Sequence, residues 1–310
     1  MTRKWRREPP AWGHAIVKQT LYKYMPVQSE ESLVRLLEVL QGRIYYSSPA
    51  GFNDPFEMSA LFDAPDQDEV MALLDGAAPV ADLLLSKSAR KKIVQQVKAT
   101  LGANSVVSRD WIESLGVLCL TTTPDDLLMW AHYARNHTGV CLGFDSGFEP
   151  FSTAQPVRYQ EHRARVAPLS TSSKEQKLVE KVLFVKSPHW QYEAEWRSVK
   201  RPVRDDEKAY YRDLFTQQPN KGDEIAQLLS SEGGPGHYEF DVGALRRVYL
   251  GARMQPEWKE RVATAIDAHA PFVKIHEMSL DSRYFRLNAQ KVRDRSLHRP
   301  RAGAASARTG

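Results

Sequence analysis

The run from Val117 to Asp145, "VLCLTTTPDDLLMWAHYARNHTGVCLGFD", admits few folds. Two short runs of strand composition flank a segment of helical composition, and local start and stop signals bracket it. Thr123 is placed to cap the helix, Pro124 to occupy its first position, Asp126 to complete a Thr-x-x-Asp box, and Gly139 to end it. Strand, helix, strand is the natural reading, and it requires a sheet with at least one helix packed on it.

The remainder repeats this mixture without an internal repeat. "LYKYMP" reads as a short strand broken at Pro26. "SEESLVRLLEVLQG" reads as a helix with Leu33, Leu36, Leu37 and Leu40 at three- and four-residue spacing, Ser29 or Ser32 as its cap and Gly42 at its end. "RIYYSS" supplies a strand and "PAGFNDPFE" a structured turn. "VRYQEH", "LRRVYLGARM" and "FVKIHEMSL" read as strands, "SKEQKLVEKVLFVKS" as a helix, "PHWQYEAEWRSVKRPV" as a turn or helix entering a strand, and "SSEGGPGHYE" as a surface loop. The expected fold is α+β, a mixed or antiparallel central sheet with flanking helices and an internal helical insertion at about 62–114. The expected organisation is a basic N-terminal tail over 1–14, one domain over 15–288 and a basic, disordered C-terminal tail over 289–310.

Charge refines this picture. The 310 residues carry a formal net charge of +5. Residues 1–9 contribute +3 and residues 289–310 contribute +5, which leaves the body at −3. Basic tails without interleaved aromatics attract phosphate weakly and read no bases, so weak nucleic-acid contact is expected there. The apolar runs are far short of the roughly 20 residues that span a bilayer, and no signal-peptide pattern follows the first residues. A cytoplasmic protein is expected, without a membrane partner. Cys119 and Cys141 lie in apolar runs and suit buried thiols rather than a disulfide framework.

Four clusters concentrate polar and aromatic groups. In "LYKY" an extended chain turns Tyr22 and Tyr24 to one side and Lys23 to the other, so Lys23 either points to water or holds a phosphate or carboxylate. In "YYSSPAGFNDPFE", Tyr45 and Ser47 share one strand face and Tyr46 and Ser48 the other. Phe52 and Phe56 can anchor the turn that follows, which holds Asn53, Asp54 and Glu57 at fixed positions, either on ligand or on backbone. In "MWAHYARNHTG" a regular helix groups Trp130, Tyr133 and His137, with His132 nearer Leu128, Met129 and Asn136, so His132 is either a structural ring or a base, acid or ligand contact. Its spacing to His137 is poor for a shared metal, and no metal site is expected. In "HWQYEAEWR", a helix would pair Glu193 with Arg197, whereas a strand would put Glu193, Glu195 and Arg197 on one face, where paired carboxylates raise one pKa. Dinucleotide-fold, phosphate-loop and nucleophile-elbow motifs are absent from the sequence.

The order of "LYKY", "GRIYYSSPAGFNDPFE", "CLTTTPDDLLMWAHYARNHTGVCLGFD", "KSPHWQYEAEWR" and "VYLGARM" resembles the bacterial and phage family known as domain of unknown function 2971, across roughly residues 20–287. The resemblance implies a shared scaffold and a pocket built from Asn53, Asp54, Glu57, Trp130, His132, Tyr133, Glu193, Glu195 and Arg197, with no activity to transfer. More distantly, "LYKY", "YYSS" and "YEAEWR" are similar to the three-part plan of ADP-ribosyltransferase-like folds, with Lys23 in place of the usual Arg or His. That likeness implies NAD as substrate. Lys23 would bind its diphosphate, Tyr45 or Tyr46 would stack on nicotinamide, Ser47 or Ser48 would contact the ribose, and Glu193 or Glu195 would stabilise the cationic ribosyl centre.

Three readings therefore stand: an enzyme of ADP-ribosyltransferase-like or glycohydrolase-like type acting on a nucleotide or dinucleotide, a metal-dependent phosphodiesterase or nuclease using Asp54, Glu57 and Glu193 or Glu195, and a non-catalytic module that binds nucleic acid or protein.

Overall fold

A computed structural model describes residues 19–58, 61–62, 92, 95, 112–163, 165–166, 182–202 and 233–293. The elements, in chain order, begin with β1 (Thr20–Met25), α1 (Glu30–Leu40), β2 (Arg43–Tyr46), β3 (Leu61–Phe62), β4 (Gly116–Thr121), α2 (Leu127–Tyr133) and β5 (Val140–Asp145). They continue with β6 (Gln155–Pro156), β7 (Arg158–Tyr159), β8 (Arg165–Val166), β9 (Val185–Lys186), β10 (Glu195–Lys200), β11 (Gly236–Glu239), β12 (Leu245–Leu250), α3 (Pro256–His269), β13 (Lys274–Leu280) and β14 (Leu287–Arg293). Eight strands form one sheet in the order β14-β13-β12-β5-β1-β4-β10-β6. Its pairs are antiparallel except β12 with β13, which α3 joins, so the fold is α+β with a mixed central sheet.

Alternation along the strands divides the sheet into two faces. Leu21, Leu118, Leu120, Leu142, Val248 and Ile275 pack with Leu36 and Leu40 of α1 and Val262 and Ile266 of α3. Each fully buried leucine here contributes about 1.5–3 kcal/mol. The other face carries Tyr22, Tyr24, Cys141 and Tyr249 against Met129 and Trp130 of α2. Helix α1 begins as its sequence dictates. Ser29 accepts from Ser32 N, and Ser32 Oγ accepts from Ser29 N, so the two candidate caps are the two halves of one capping box.

Several expectations require correction. Helix α2 starts at Leu127, because Asp126 is itself the cap and accepts from Leu128 N and Met129 N, both at 2.9 Å. Pro124 stays outside the helix, and its carbonyl accepts from Trp130 Nε1 at 2.9 Å. The helix ends before Gly139, through a left-handed run at Arg135, Asn136 and His137 with φ of 48°, 55° and 67°. Gly139 serves a different need, since a Cβ there would stand 2.1 Å from the Met25 carbonyl oxygen of β1.

The expected loop "SSEGGPGHYE" contains β11, which pairs antiparallel with β2 and sets Tyr238 edge-on to Tyr46 at 4.9 Å. The chain expected to be a tail from residue 289 continues the sheet as β14 through Arg293. The insertion at 62–114 lies largely outside the described residues. Lys92, Gln95, Ile112 and Glu113 within it are helical. Both basic tails, 1–14 and 294–310, lie outside the described residues too, and no helix among the described residues is long and apolar enough to cross a membrane.

Trp130 fixes α2 to the sheet. It is fully buried, edge-on to Tyr24 at 5.2 Å and stacked on His137 at 6.4 Å. Trp130→Ala should lower unfolding free energy by about 3–5 kcal/mol, read by urea denaturation followed by circular dichroism. A loss below about 1 kcal/mol would show that α2 is held by other contacts.

Candidate functional site

The sheet opens where β1 and β4 part. Only Tyr22 and Thr121 are paired between these strands. Further along β4, Ser47 replaces β1, with Ser47 N to Val117 O at 3.0 Å and Val117 N to Ser47 O at 2.9 Å. Between the two partners the carbonyl of Cys119 accepts from Lys23 Nζ at 3.4 Å. The gap is a cavity of about 420 Å³, bordered by β1, the turn after β2, β4, α2 and the segment from Lys186 to Glu195. It lies at a split in the sheet rather than on one face, so Tyr22, Lys23 and Tyr24 all border it despite their alternation.

Its floor is a buried ion network. Lys186 Nζ lies 2.5 Å from Glu193 Oε2, 3.1 Å from Glu195 Oε2 and 3.5 Å from Glu57 Oε1. Arg197 grips Glu195 in a fork, Nε to Oε1 and Nη2 to Oε2 both at 2.8 Å. Its Nη2 also donates to Glu57 Oε1, and its Nη1 donates to Leu183 O at 2.6 Å. Tyr133 OH donates to Glu193 Oε1 at 2.5 Å, and Tyr159 OH accepts from Glu195 N at 2.8 Å. The backbone explains how two nearby carboxylates converge. Glu193 ends a 3-10 turn, Pro188–Glu193, Ala194 turns left-handed at φ 42°, and Glu195 opens β10. Neither sequence geometry holds throughout: Arg197 pairs with Glu195 along the strand, and Glu193 arrives from the turn.

Three carboxylates surround two cations, so the cluster has an excess of one acid. Removal from water pushes Glu195 up to about 7; Lys186 opposes this and Glu193 adds to it. Burial also works against the Lys186 charge, but Glu195 and Glu193 outweigh it and raise Lys186 above its ordinary value. Burial draws Arg197 down to about 9, with Asp54 opposing, which leaves it a cation at neutral pH. On the opposite wall, burial pulls Lys23 below its usual value, opposed by Cys119 and Glu195.

The anticipated residues divide into three groups. Lys23, Ser47, Asn53, Glu57, His132, Tyr133, Glu193 and Glu195 border the cavity. His132 is exposed at its mouth, and Asn53 Nδ2 donates to Tyr133 OH at 3.4 Å. Arg197 and Asp54 stand behind this wall, both buried, and Asp54 Oδ1 accepts from Phe56 N at 2.9 Å. The others point elsewhere. Tyr45 is exposed against His237, Tyr46 is in the core with its hydroxyl 2.9 Å from Ser198 Oγ, Ser48 caps the Pro49–Gly51 turn, and Trp130 packs under α2.

Lys186, at the centre of the network, is absent from the sequence-derived set, as are Cys119, Thr121 and Tyr159. The signal for Lys186 is a lysine closing the apolar run "VLFV" directly before the Trp- and Glu-rich segment. Among the described residues no group of His, Cys, Asp and Glu is arranged to hold a metal. A divalent ion at Glu57, Glu193 or Glu195 would have to displace Lys186 or Arg197.

A family model described as "Protein of unknown function (DUF2971)" matches residues 129–198, from within α2 to Ser198 of β10. The matched stretch includes Tyr133, Lys186, Glu193, Glu195 and Arg197, the greater part of the buried network. No curated protein and no solved structure matches the chain.

Two outcomes follow from the network. Lys186→Met leaves buried carboxylates uncompensated and should cost about 3–5 kcal/mol in urea unfolding, whereas Asn53→Ala at the exposed rim should stay within about 0.5 kcal/mol. Glu195 titrates at about 7 in the folded chain against an ordinary 4.5, so the folded state binds more protons between those values. Its contribution to stability therefore falls as pH rises through that window. Unfolding free energies at pH 5 and 7.5 should show this fall in the wild type and a flatter profile in Glu195→Gln; equal slopes would locate the extra proton elsewhere.

Proposed function

We propose that the cavity binds a nicotinamide dinucleotide and that the chain cleaves its N-glycosidic bond, passing the ADP-ribosyl group to an acceptor or to water. The observation that carries this reading is the meeting of Lys23, Ser47 and the Glu193–Glu195 pair around one cavity at the parting of β1 and β4. Its volume of about 420 Å³ falls within the roughly 300–1,000 Å³ of small-molecule sites.

The charge arrangement suits that chemistry. When the C1′–N bond breaks, both bonding electrons leave on nicotinamide and the ribosyl centre becomes cationic. An oxygen or nitrogen lone pair then bonds to C1′, and the attacking group's proton passes to solvent. A floor with one carboxylate in excess of its cations stabilises that cation more than the ground state. Glu193 accepts one bond on each oxygen, from Tyr133 and Lys186, and keeps capacity for a ribose hydroxyl. Glu195 spends more of its capacity on Arg197 and Lys186 and holds the floor in place.

Lys23 donates to a neutral carbonyl, and a diphosphate beside it would favour its charged form. Ser47 stands at the cavity wall for the ribose. Because Tyr45 and Tyr46 point away, stacking on nicotinamide falls to rings that line the cavity, among them Phe52 and Tyr133.

Calorimetry with NAD, together with chromatography of released nicotinamide, tests the reading. Saturable binding and nicotinamide release are expected from the wild type. The folded Glu193→Gln, Glu195→Gln double variant should bind within a few-fold but turn over about 10²–10³-fold more slowly, about 2.7–4 kcal/mol of transition-state stabilisation. Turnover should rise with pH through about 7 as the cluster loses its extra proton. Neither binding nor release by wild-type protein at millimolar NAD would overturn the proposal.

A further inference from the structure

The face of the sheet that carries α2 extends past the cavity onto β12, β13 and β14, and there its character changes. Register places Tyr22 opposite Gly143, Gly143 opposite Arg247, and Arg247 opposite Lys274. The next row runs Tyr24, Cys141, Tyr249, His276 and Lys291. Directly paired residues share a face, so Arg247, Lys274, His276 and Lys291 form one basic group on three adjacent strands. An aromatic series joins it to the cavity. Tyr22 borders the cavity and meets Tyr249 edge-on at 6.0 Å, and Tyr249 stacks on His276 at 4.9 Å.

The acids of the β13–β14 hairpin are turned away from this group. Glu277 lies on the opposite face, bonded to Lys259 of α3 at 3.0 Å. Asp281 organises the hairpin tip, accepting from Arg283 N, Tyr284 N, Arg286 Nε and Asn288 Nδ2. That tip holds Tyr284 and Phe285 in solvent, 64% and 102% exposed, between Arg283 and Arg286. Burial holds the His276 imidazole below its ordinary value, and Arg247, Lys291 and Lys274 add to this, which agrees with their common placement.

We infer that this face of β12–β14 binds the phosphodiester backbone of a single-stranded nucleic acid, with Arg247, Lys274 and Lys291 on phosphates and the Tyr284–Phe285 tip available to stack bases. Neighbouring strands lie about 4.8 Å apart, so the three cations span about 10 Å, enough to follow successive phosphates of one strand. Exposed aromatics beside cations bind bases without regard to sequence. A bilayer fits the same charges poorly, because α2, about 10 Å across, stands on the same face and keeps a flat surface away from recessed cations, whereas one strand can lie beside it.

The test is fluorescence anisotropy of the full-length protein with a labelled 20-nucleotide single-stranded DNA, from about 50 to 200 mM salt. Relative to wild type, the Arg247→Gln, Lys274→Gln, Lys291→Gln variant should bind at least about 10-fold more weakly at low salt. Its log–log salt slope should be shallower by about 2, at about 0.7 per lost phosphate contact. The same loss should appear in a chain whose tail carries Arg295→Gln, Arg299→Gln and Arg301→Gln, and Tyr284→Ser, Phe285→Ser should weaken binding with little change in slope. A triple variant that melts like wild type and binds DNA equally well would overturn the inference and place binding in the tails. Triple-sensitive binding to vesicles with 30% phosphatidylserine, without binding to DNA, would overturn it in favour of a lipid surface. The Glu193→Gln, Glu195→Gln variant should bind DNA like wild type, so this outcome is independent of NAD turnover.

Discussion

The Lys186 ammonium, enclosed by Glu57, Glu193 and Glu195, is the contact on which the rest of the site depends. Its side chain is 3% exposed, as are those of Glu57 and Glu193. Ions removed from water this completely persist only where each has a partner and its remaining donors or acceptors are satisfied. Arg197 completes the arrangement from behind, using Nε, Nη1 and Nη2 on Glu195, the Leu183 carbonyl and Glu57. The partners come from the turn after β2, from β9, from the 3-10 turn and from β10, so the network joins segments far apart in the chain. Its value lies in position: it fixes the directions of two carboxylates that the cavity shares.

A cavity exists beside this network because β1 and β4 do not stay paired. Had β1 followed β4 throughout, Lys23 would stand above a closed sheet and the carboxylates would face packed side chains. Ser47 prevents that by taking both backbone bonds of Val117. The Cys119 carbonyl, deprived of a strand partner, accepts from the Lys23 amine instead. One edge of one strand is thus satisfied in turn by a strand, a lysine and a turn, and the space between them is the site. Helix α2 closes the cavity from one side, and its start is set by Asp126 so that Tyr133 reaches Glu193.

Much of this was legible in sequence wherever the information is local. Ser29, Ser32 and the leucine spacing of α1 give both its position and its buried side, because caps and periodicity act over a few residues. Asn53 and Glu57, Tyr133, and Glu193 and Glu195 stand out in three separate segments, and the fold brings all five to one cavity. What failed was long-range. Period-2 alternation correctly separated Tyr45 from Tyr46, yet both rings point away from the cavity because β2 pairs with β11, whose sequence reads as loop. Nothing around Lys186 in the sequence marks its three carboxylate partners, of which the nearest, Glu193, is seven residues away. Strand β14 reads in sequence as the start of a solvated basic tail, while its pairing is provided by β13.

Formal charge illustrates how such a sum conceals arrangement. The body, taken as residues 10–288, is −3 by counting, which argues against a basic surface. Yet Glu57, Glu193 and Glu195 lie inside with Lys186 and Arg197, and their excess of one negative charge is spent on the cavity floor rather than the surface. Arg247, Lys274 and Lys291 gather on the α2 side of β12–β14 because strand register sets Arg247 opposite Lys274 and places Lys291 in the adjacent row, opposite His276. The sheet therefore carries an acid-rich floor at the parting of β1 and β4 and a basic group on the α2 side of β12–β14, with Tyr22 and Tyr249 between them. On the functions proposed for them, the developing ribosyl cation meets the first and the phosphate chain the second, and the sheet holds the two fields apart.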